Sequence, residues 1–369
     1  MKKDEKLKKH ERLAMTKKAR IAVIGAGWWA TEYHIPFLKA RQSDVDLVAV
    51  CRLGLDELEH VKQRFDIPFA SESFLEVIEK TKPDGVIVSS PHVAHFEHAL
   101  AALEAGAHVL IEKPMTVKAE DARKLETIAR EKGVQLLIPH GWNFTHYMTA
   151  AAKWFANGQI GELRHFNLQM GSALMDLFAG KPMEETAEHT FRPPASTWAD
   201  PKRAGGYGWG QLSHALGAFF RVTSLDASTV YAKTGKSPTG VDYFDAVLME
   251  MENGAIGVVS GTAAVPKHIG PHVDMRLYGD EGSIHLDLER ELLELRRFDG
   301  KDQIHPFATG EGAKAYSTKE PLDRFVDICL GKVATNDGDG TVGRRTIEVL
   351  EAMYQSSEQQ SEINIKEQK

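Results

Sequence analysis

Short apolar runs alternate with longer amphipathic stretches along the first 140 residues of the chain. The runs predict strands at residues 20–24, 45–50, 67–69, 85–90, 109–111 and 134–138. The stretches predict one helix that ends near Leu38 and others at residues 56–65, 74–80, 96–105 and 119–132. Apolar strands that alternate with helices are typical of a doubly wound parallel sheet, so we expect an α/β Rossmann domain with right-handed crossovers.

From residue 143 onward, apolar residues occupy alternate positions instead. The sets are Phe166, Leu168 and Met170; Phe244, Ala246 and Leu248; Ile256 and Val258; Val273, Met275 and Leu277; Ile284, Leu286 and Leu288; and Leu293 and Leu295. Alternation predicts an open, mainly antiparallel sheet with these sets on its buried face. Asn253-Gly254 predicts a hairpin turn. Helices at 321–330 and 343–355 and a strand at 363–365 complete an α+β domain.

These patterns divide the 369 residues into a charged leader and two domains. Residues 1–18 are expected to be disordered, residues 19–142 form the first domain and residues 143–369 the second. The C-terminal helices and strand are expected to pack back on the first domain. The formal net charge is −7 with both signs interspersed, so no surface for nucleic acid or an anionic membrane is implied.

Three features of the sequence bear on the cellular compartment and on metal binding: the cysteines, the histidines and the amino terminus. Cys51 and Cys329 lie far apart and match no metal or redox spacing, and the 16 histidines show no ligand cluster. Residues 1–12 mix Lys and Glu without the apolar core of a signal peptide, and no apolar run is long enough to span a bilayer. We expect a cytoplasmic protein without a disulfide or a metal.

The first strand runs directly into Gly25-Ala-Gly27-Trp28-Trp29-Ala30, and a helix follows. Strand, Gly-x-Gly-x-x-Ala and helix in this order make the dinucleotide-binding fingerprint. Gly25 permits the tight turn, Gly27 lets a pyrophosphate approach the backbone, and Ala30 lets helix and strand pack closely. We therefore predict that this loop, including Trp28 and Trp29, binds the cofactor.

The end of the second strand favours one of the two nicotinamide cofactors. An acidic residue at this position binds the ribose 2′-hydroxyl of NAD, but the chain has Cys51 and Arg52 there. Arg52 would pair with a 2′-phosphate, which favours NADP. The alternative is that Arg52 stacks on adenine or faces solvent and that the cofactor is NAD.

The stretch His108-Val-Leu-Ile-Glu112-Lys113-Pro114 places a lysine at the carboxyl end of a buried strand. Ligands bind at that edge of an open parallel sheet. A low-dielectric environment would lower the pKa of Lys113 and make its proton transferable. The alternative is a solvated turn without a role.

Several motifs together resemble the Gfo/Idh/MocA oxidoreductase family, from about residue 19 to the end of the chain. They are the glycine loop, His34-Ile-Pro36, Pro91-x-x-x-His95 and Ala-Gly106-x-His108-Val-Leu-x-Glu-Lys-Pro114. The resemblance implies that Lys113 lies beside substrate and nicotinamide and assists proton transfer. His92 stands where the family usually has Asn. Further implied cofactor contacts are Ser90, Pro91, His95, Glu112 and Lys113; implied substrate contacts are His92, Lys113, His140, Asn143, Gln211 and His214.

Residues 205–214 resemble the family's Gly-Gly-x-x-x-Asp-x-x-x-His run, in which Asp and His share one helix face. His214 fits the histidine and is a candidate acid/base for a carbinol. Gly210 occupies the aspartate position. Residues considered as its substitute are Gln211, Asp176, Glu184, Glu188 and His189. The insert at residues 176–201 is expected either to lie over the pocket or to contact a partner subunit.

The preferred hypothesis is an NAD(P)-dependent oxidoreductase that moves hydride to or from a secondary alcohol of a sugar, sugar derivative or cyclitol. Lys113 and His214 would share the proton transfer. The first alternative is an NAD-dependent enzyme that cleaves glycosides through transient oxidation and elimination. The second is a non-catalytic nucleotide and sugar sensor. The resemblance also implies a homo-oligomer, dimer or tetramer, formed through the second sheet.

Overall fold

A computed structural model describes residues 18–308, 316–332 and 335–368 of the chain. Within these residues two β-sheets and their flanking helices form the fold. The predicted leader, residues 1–18, lies outside the described residues except for Lys18.

The first sheet is parallel throughout and has the strand order β3-β2-β1-β4-β5-β6. Its strands are β1 (Ala19–Ile24), β2 (Val45–Cys51), β3 (Phe69–Ser71), β4 (Gly85–Val88), β5 (His108–Ile111) and β6 (Leu136–Leu137). The core strands are buried on both faces because helices cover both sides. This confirms the predicted doubly wound sheet.

The helices of this half follow the predicted positions closely. A π-helical turn, Ala30–His34, continues into α1 (Ile35–Ala40); then come α2 (Leu55–Arg64), α3 (Phe74–Thr81), α4 (His95–Glu104) and α5 (Ala119–Lys132). The Ser73 hydroxyl caps α3 by accepting a hydrogen bond from the Glu76 amide. Strand β3 begins two residues later than predicted, because pairing with β2 starts after Pro68, which has no amide hydrogen to donate.

The second sheet has the order β14-β13-β12-β11-β7-β10-β9-β8-β15 and is antiparallel except for the pair β7 and β10. Its strands are β7 (Leu163–Gly171), β8 (Ala227–Lys236), β9 (Asp242–Met251), β10 (Ile256–Thr262), β11 (His272–Gly279), β12 (Gly282–Asp287), β13 (Leu292–Arg297), β14 (Gln303–His305) and β15 (Ile363–Asn364). The predicted turn at Asn253-Gly254 is present, with a φ of 80° at Gly254. The mainly antiparallel sheet is therefore confirmed.

The predicted buried face is wrong for β9 and β10. Phe244 is 52% exposed and Leu248 is 48% exposed, and Ile256 and Val258 are exposed as well. The inward positions of β9 are instead Asp245, Val247, Met249 and Met251. Both faces of these strands carry apolar side chains, so alternation identifies the strand but cannot choose the face that meets the helices.

The helices of the second half are α6 (His146–Ala156), the short α7 (Met175–Phe178) and α8 (Ser196–Ala199), α9 (Ser213–Thr223), α10 (Lys319–Cys329) and α11 (Gly340–Gln359). A π-helical turn, Gly208–Leu212, leads into α9. Within the described part of the chain, no helix has the length and hydropathy needed to cross a membrane.

The late helices, for which packing on the first domain was the expectation, contact the first half of the chain. In α10, Leu322, Phe325 and Val326 join the apolar core beside β1 and α1. In α11, Arg344 lies 2.8 Å from Glu126 of α5. The closing strand does not follow this expectation, because β15 pairs with β8 at an edge of the second sheet.

Candidate active site

The glycine loop has the geometry that a dinucleotide requires. Gly25 has a φ of 87°, and a Cβ there would collide with the backbone of Ser90 on the neighbouring strand end. A Cβ at Gly27 would meet nothing closer than the Gly25 carbonyl oxygen at 4.0 Å, so the backbone there is open to a pyrophosphate. Ala30 is fully buried where the helix starts. The residues present therefore fit the cofactor that the fingerprint predicts.

Glu112 lies between this loop and the end of β5. Its Oε1 accepts a hydrogen bond of 2.8 Å from the Trp29 indole and lies 2.9 Å from His34 Nε2. Burial alone would raise the pKa of this carboxyl, but His34, Lys113 and Trp29 outweigh it and the net pKa is lowered. Glu112 is thus an ionised group that ties the glycine loop to β5.

Lys113 reaches from the end of β5 to the second half of the molecule. Its Nζ donates a 2.8 Å hydrogen bond to the carbonyl oxygen of Gly210. Burial lowers the pKa of the amine below its ordinary value, and the neighbouring Glu112 opposes this only in part. Lys113 is therefore an amine whose proton is easier to remove than that of a solvated lysine.

His140, Trp142 and His214 form a buried group near Lys113. The His214 ring centroid lies 5.8 Å from that of His140 and 5.9 Å from that of Trp142. Among the described residues, His140 Nδ1, His214 Nδ1 and Trp142 Nε1 have no hydrogen-bond partner. Burial and the nearby charge of Lys113 lower the pKa of His140 to about 3 and that of His214 well below its ordinary value. Both imidazoles are therefore neutral at physiological pH.

The segment after β4 connects the two halves. His92 Nδ1 donates to the carbonyl oxygen of Ala204 at 3.1 Å, and burial lowers its pKa to about 3. The buried His95 ring lies 2.8 Å from two backbone carbonyl oxygens, those of Ser90 and Pro114. His95 therefore fixes the segments after β4 and β5 relative to each other. Pro91, at the start of the segment after β4, is exposed.

Two predicted substrate contacts have different settings. Asn143 is fully buried, and its side-chain amide donates to the carbonyl oxygens of Gly217 at 3.1 Å and Asp337 at 3.3 Å. Gln211 is half-buried in the π-helical turn that precedes His214. The Asn143 side chain thus ties the turn Gly141–Phe144 to α9, and Gln211 is the more accessible of the two.

Aromatic rings border the backbone at Gly210, where the family has aspartate. A Cβ at Gly210 would lie 3.4 Å from the Phe178 ring and 3.9 Å from the Trp198 ring. Four of the five residues considered as substitutes are exposed or have other partners. Asp176 is 42% exposed and pairs with Lys181 and Lys267. Glu184 and Glu188 are exposed, and His189 Nδ1 accepts a 2.6 Å hydrogen bond from Trp28.

Arg52 lies against the glycine loop. Its Nη1 donates a 3.1 Å hydrogen bond to the carbonyl oxygen of Ala26, and its guanidinium carbon lies 3.8 Å from the ring centroid of Phe191. Burial lowers the pKa of Arg52, and Glu57 opposes this shift. The predicted insert thus crosses the nucleotide-binding half of its own chain.

Sequence reasoning missed Asp242 and Tyr354, which support the turn before His214. The buried Asp242 carboxylate accepts 2.7 Å and 2.8 Å hydrogen bonds from the Gly208 amide and the Tyr354 hydroxyl. Gly206 has a φ of 115°, and a Cβ there would collide with this carboxylate. The sequence offered one signal that could have identified Asp242. Asp242 and Asp245 both occupy inward positions of β9, and buried carboxylates require specific partners.

Asp274, His285 and Asp287 present possible metal ligands within 4.8 Å of one another, the group of this kind found among the described residues. Asp274 pairs with Arg276 at 3.0 Å and Asp287 with Arg290 at 2.7 Å. A cation would have to compete with both arginines. The predicted absence of a metal stays a prediction.

The chain is similar to curated dehydrogenases over part of its length. It is 34% identical to the D-glucoside 3-dehydrogenase of Escherichia coli (strain K12) over 144 residues, which are 39% of this chain and 41% of that protein. It is 27% identical to the scyllo-inositol 2-dehydrogenase (NADP(+)) of Bacillus subtilis (strain 168) over 149 residues, 40% of each chain. The chain therefore matches about two fifths of the length of these relatives.

Similarity to solved structures covers nearly the whole fold. An oxidoreductase domain protein from Kribbella flavida has a TM-score of 0.74 at 19% identity, over 95% of this chain and 99% of that one. A levoglucosan dehydrogenase, solved with NADH and levoglucosan, has a TM-score of 0.73 at 17% identity, over 95% of this chain and 100% of that one. At these identities the similarity establishes the fold.

Family profiles match both halves of the sequence. Residues 19–140 match the profile described as "Oxidoreductase family, NAD-binding Rossmann fold", and residues 148–285 match the profile of a GFO/IDH/MocA C-terminal domain. The motifs around the glycine loop and Lys113 lie within the first match. The chain belongs to the Gfo/Idh/MocA family of oxidoreductases.

Proposed function

We propose that the protein is an NAD(P)-dependent oxidoreductase that acts on a secondary alcohol of a sugar, sugar derivative or cyclitol. The observation that carries this proposal is the position of Lys113. Its amine has a lowered pKa at the ligand-binding edge of the first sheet, beside neutral His214 and His140. The names of the similar D-glucoside and scyllo-inositol dehydrogenases support the substrate class.

The nicotinamide supplies hydride transfer when it is bound. Oxidation of a carbinol also requires removal of the hydroxyl proton, and Lys113 and His214 are the groups placed to accept it. Glu112 holds the glycine loop and Lys113 in a fixed position relative to each other. Within the described residues the buried Nδ1 atoms of His140 and His214 and the Trp142 indole have no hydrogen-bond partner, which supports a polar ligand in this region.

A second candidate is cleavage of a glycoside at the same site through transient oxidation, elimination of the aglycone, addition of water and reduction. The observation that favours it is the loss of the family carboxylate at Gly210, where Phe178 and Trp198 form an apolar surface instead. Product analysis separates the two reactions. Released aglycone without net NAD(P)H supports cleavage, whereas NAD(P)H formed in a one-to-one ratio with oxidised product supports the dehydrogenase.

The cofactor preference is tested by titrating tryptophan fluorescence with NADH and NADPH, followed by a screen of polyols, sugars and glycosides. The prediction of NADP rests on Arg52 pairing with a 2′-phosphate, so Arg52→Ala should weaken NADPH binding about tenfold more than it weakens NADH binding. Equal losses for both dinucleotides, or preference of the wild type for NADH, contradict the NADP assignment. Absence of turnover across the screen contradicts the proposed activity.

We also propose a homo-oligomer that forms through the outer face of the second sheet. Tyr231, Leu248 and Val258 are adjacent across β8, β9 and β10, and each is exposed by more than a third of its surface. Contiguous exposed apolar surface is typical of protein interfaces. Sedimentation velocity should show a dimer or larger assembly that Leu248→Lys converts to monomer. Leu75→Lys, at an exposed leucine of α3, is the control; a monomeric wild type would contradict the proposal.

The expected compartment and domain division are further parts of this proposal. Cys51 and Cys329 are both buried, and neither forms a disulfide within the described residues, which supports a reducing compartment such as the cytoplasm. A division near residue 142 is supported by the end of the first sheet at Leu137 and the start of α6 at His146.

A further inference from the structure

The insert between β7 and α9 crosses from the second half of the chain to the nucleotide-binding half. Three consecutive residues, His189, Thr190 and Phe191, make this contact and are called the strap below. Thr190 accepts a hydrogen bond from Arg64 at the end of α2. Phe191 packs against the apolar core beside β1 and meets the His60 ring edge-on, at a centroid distance of 6.5 Å.

One end of the strap lies on the glycine loop. The Trp28 indole donates a 2.6 Å hydrogen bond to His189 Nδ1. The two rings lie nearly parallel, with an interplanar angle of 15° and a centroid distance of 6.2 Å. Trp198, further along the same insert, meets Trp28 edge-on at 6.1 Å. The insert therefore lies against Trp28, directly before the helix start at which a pyrophosphate is predicted to bind.

The other end of the strap lies on Arg52. The residue that follows the second strand of a dinucleotide-binding sheet faces the ribose of the adenosine half. Arg52 is held there by its hydrogen bond to the Ala26 carbonyl oxygen, and Phe191 covers its guanidinium plane at 3.8 Å. Flat phenyl and guanidinium surfaces are the side-chain groups on which nucleobases stack.

We propose that the strap is part of the dinucleotide site: Phe191 and His189 retain the adenosine diphosphate half of the cofactor, and the cofactor leaves only when the strap lifts from Arg52 and Trp28. This inference rests on the proposed use of a nicotinamide dinucleotide. It assigns a cofactor contact to the second half of the chain, outside the glycine fingerprint. Cofactor release is then a motion of the insert and not of the Rossmann half.

The test measures dissociation of NADH from the full-length protein by stopped-flow displacement with excess ADP-ribose. Phe191→Ala should raise the NADH dissociation rate constant about tenfold and weaken ADP-ribose binding by a similar factor, since aromatic stacking on a base is lost. Binding of nicotinamide mononucleotide, which lacks the adenosine half, should not change. Phe191→Tyr should restore the wild-type dissociation rate.

Control variants distinguish a specific effect of the strap on ligand binding from a general loss of folded structure. Phe298→Ala removes a phenylalanine that is 81% exposed in the second half and should leave all three ligands unaffected. His189→Ala is a second strap variant, which removes the acceptor of the Trp28 hydrogen bond and should accelerate NADH dissociation by itself. Thermal unfolding followed by circular dichroism identifies any variant that does not fold.

Two results would contradict the proposed role of the strap in cofactor binding. The first is NADH dissociation within twofold of wild type in both Phe191→Ala and His189→Ala. The second is faster association with tighter ADP-ribose binding, which would make the strap an obstacle and not a clamp. A wild type that binds neither dinucleotide overturns both proposals. If the strap variants accelerate NADH dissociation but the wild type oxidises no alcohol, the proposed activity is wrong and the strap proposal stands.

Discussion

Replacing Lys113 by methionine is expected to lower kcat for alcohol oxidation by about 10²- to 10⁴-fold, the range typical of general acid–base groups. Methionine approximates the length of the lysine side chain but cannot carry a proton. Lys113 is a predicted cofactor contact, but its Nζ donates to the Gly210 carbonyl oxygen, so NADH binding should fall much less than kcat. Steady-state kinetics and fluorescence titration measure the two effects separately. Full activity with normal cofactor binding would exclude Lys113 from proton transfer.

Lys113→Arg distinguishes positive charge from proton transfer. Arginine retains the charge and hydrogen-bond donors but does not release its proton near neutral pH. It should therefore remain as inactive as Lys113→Met; recovery of activity would assign Lys113 an electrostatic role only.

The pH profile provides an independent readout of the same group. Burial lowers the pKa of Lys113, so the rate of oxidation should rise with pH through that lowered value as the amine loses its proton. The neighbouring His140 and His214 are already neutral because their pKa values are lowered, and they add no inflection near neutrality. The inflection should be absent from Lys113→Met and present in His214→Asn. Its presence in Lys113→Met would assign it to another group.

Asp242→Ala is expected to lower the free energy of unfolding by roughly 2–6 kcal/mol, if the costs of the two buried donors left without an acceptor add. These donors are the Gly208 amide and the Tyr354 hydroxyl. The Gly208–Leu212 turn carries the Gly210 carbonyl that Lys113 contacts, so kcat should fall more than KM rises. Urea denaturation and steady-state kinetics measure the two effects. Asp46→Ala, at an exposed ion pair, should change stability by less than about 1 kcal/mol.

A substitution at Asp245 tests whether the buried pair of carboxyl groups, Asp242 and Asp245, makes stability depend on pH. Burial and the adjacent Asp242 raise the pKa of the Asp245 carboxyl well above its ordinary value, and Lys236 opposes the shift. A group with a raised pKa in the folded state stabilises the fold below its ordinary pKa, and this contribution is lost as pH rises through the raised value. Asp245→Asn should therefore reduce the loss of stability at higher pH. An unchanged pH dependence, or no loss of stability in Asp242→Ala, would contradict the buried carboxyl pair.

Local signals in the sequence predicted most of the first sheet and the position of the cofactor loop. Gly25, Gly27 and Ala30 act through backbone geometry within a few residues, so their spacing was sufficient. The apolar run before Lys113 likewise determined its place at the end of β5. The helix at residues 119–132 was predicted with the boundaries that the structure shows.

The outward face of β9 could not be predicted in this way. Phe244 and Leu248 form an apolar set with period two, as do Val247 and Met249 on the opposite face. Which set is buried depends on where the helices pack, and no pattern within the strand contains that information. The same limit applies to Asp242, whose partners lie 34 and 112 residues away in the chain.

The sequence by itself determined the order of the elements, the dinucleotide loop, the family and the two candidate proton carriers, Lys113 and His214. Each of these depends on spacing within one strand, loop or helix, where bond geometry fixes what the neighbours can do. Only the tertiary structure decided what surrounds them: the Gly210 carbonyl as partner of Lys113, the aromatic rings in place of a carboxylate, and the strap over Arg52. The first and last of these contacts join residues 97 and 139 positions apart, and the rings beside Gly210 belong to residues 12 and 32 positions before it; side-chain packing in three dimensions selects all of them.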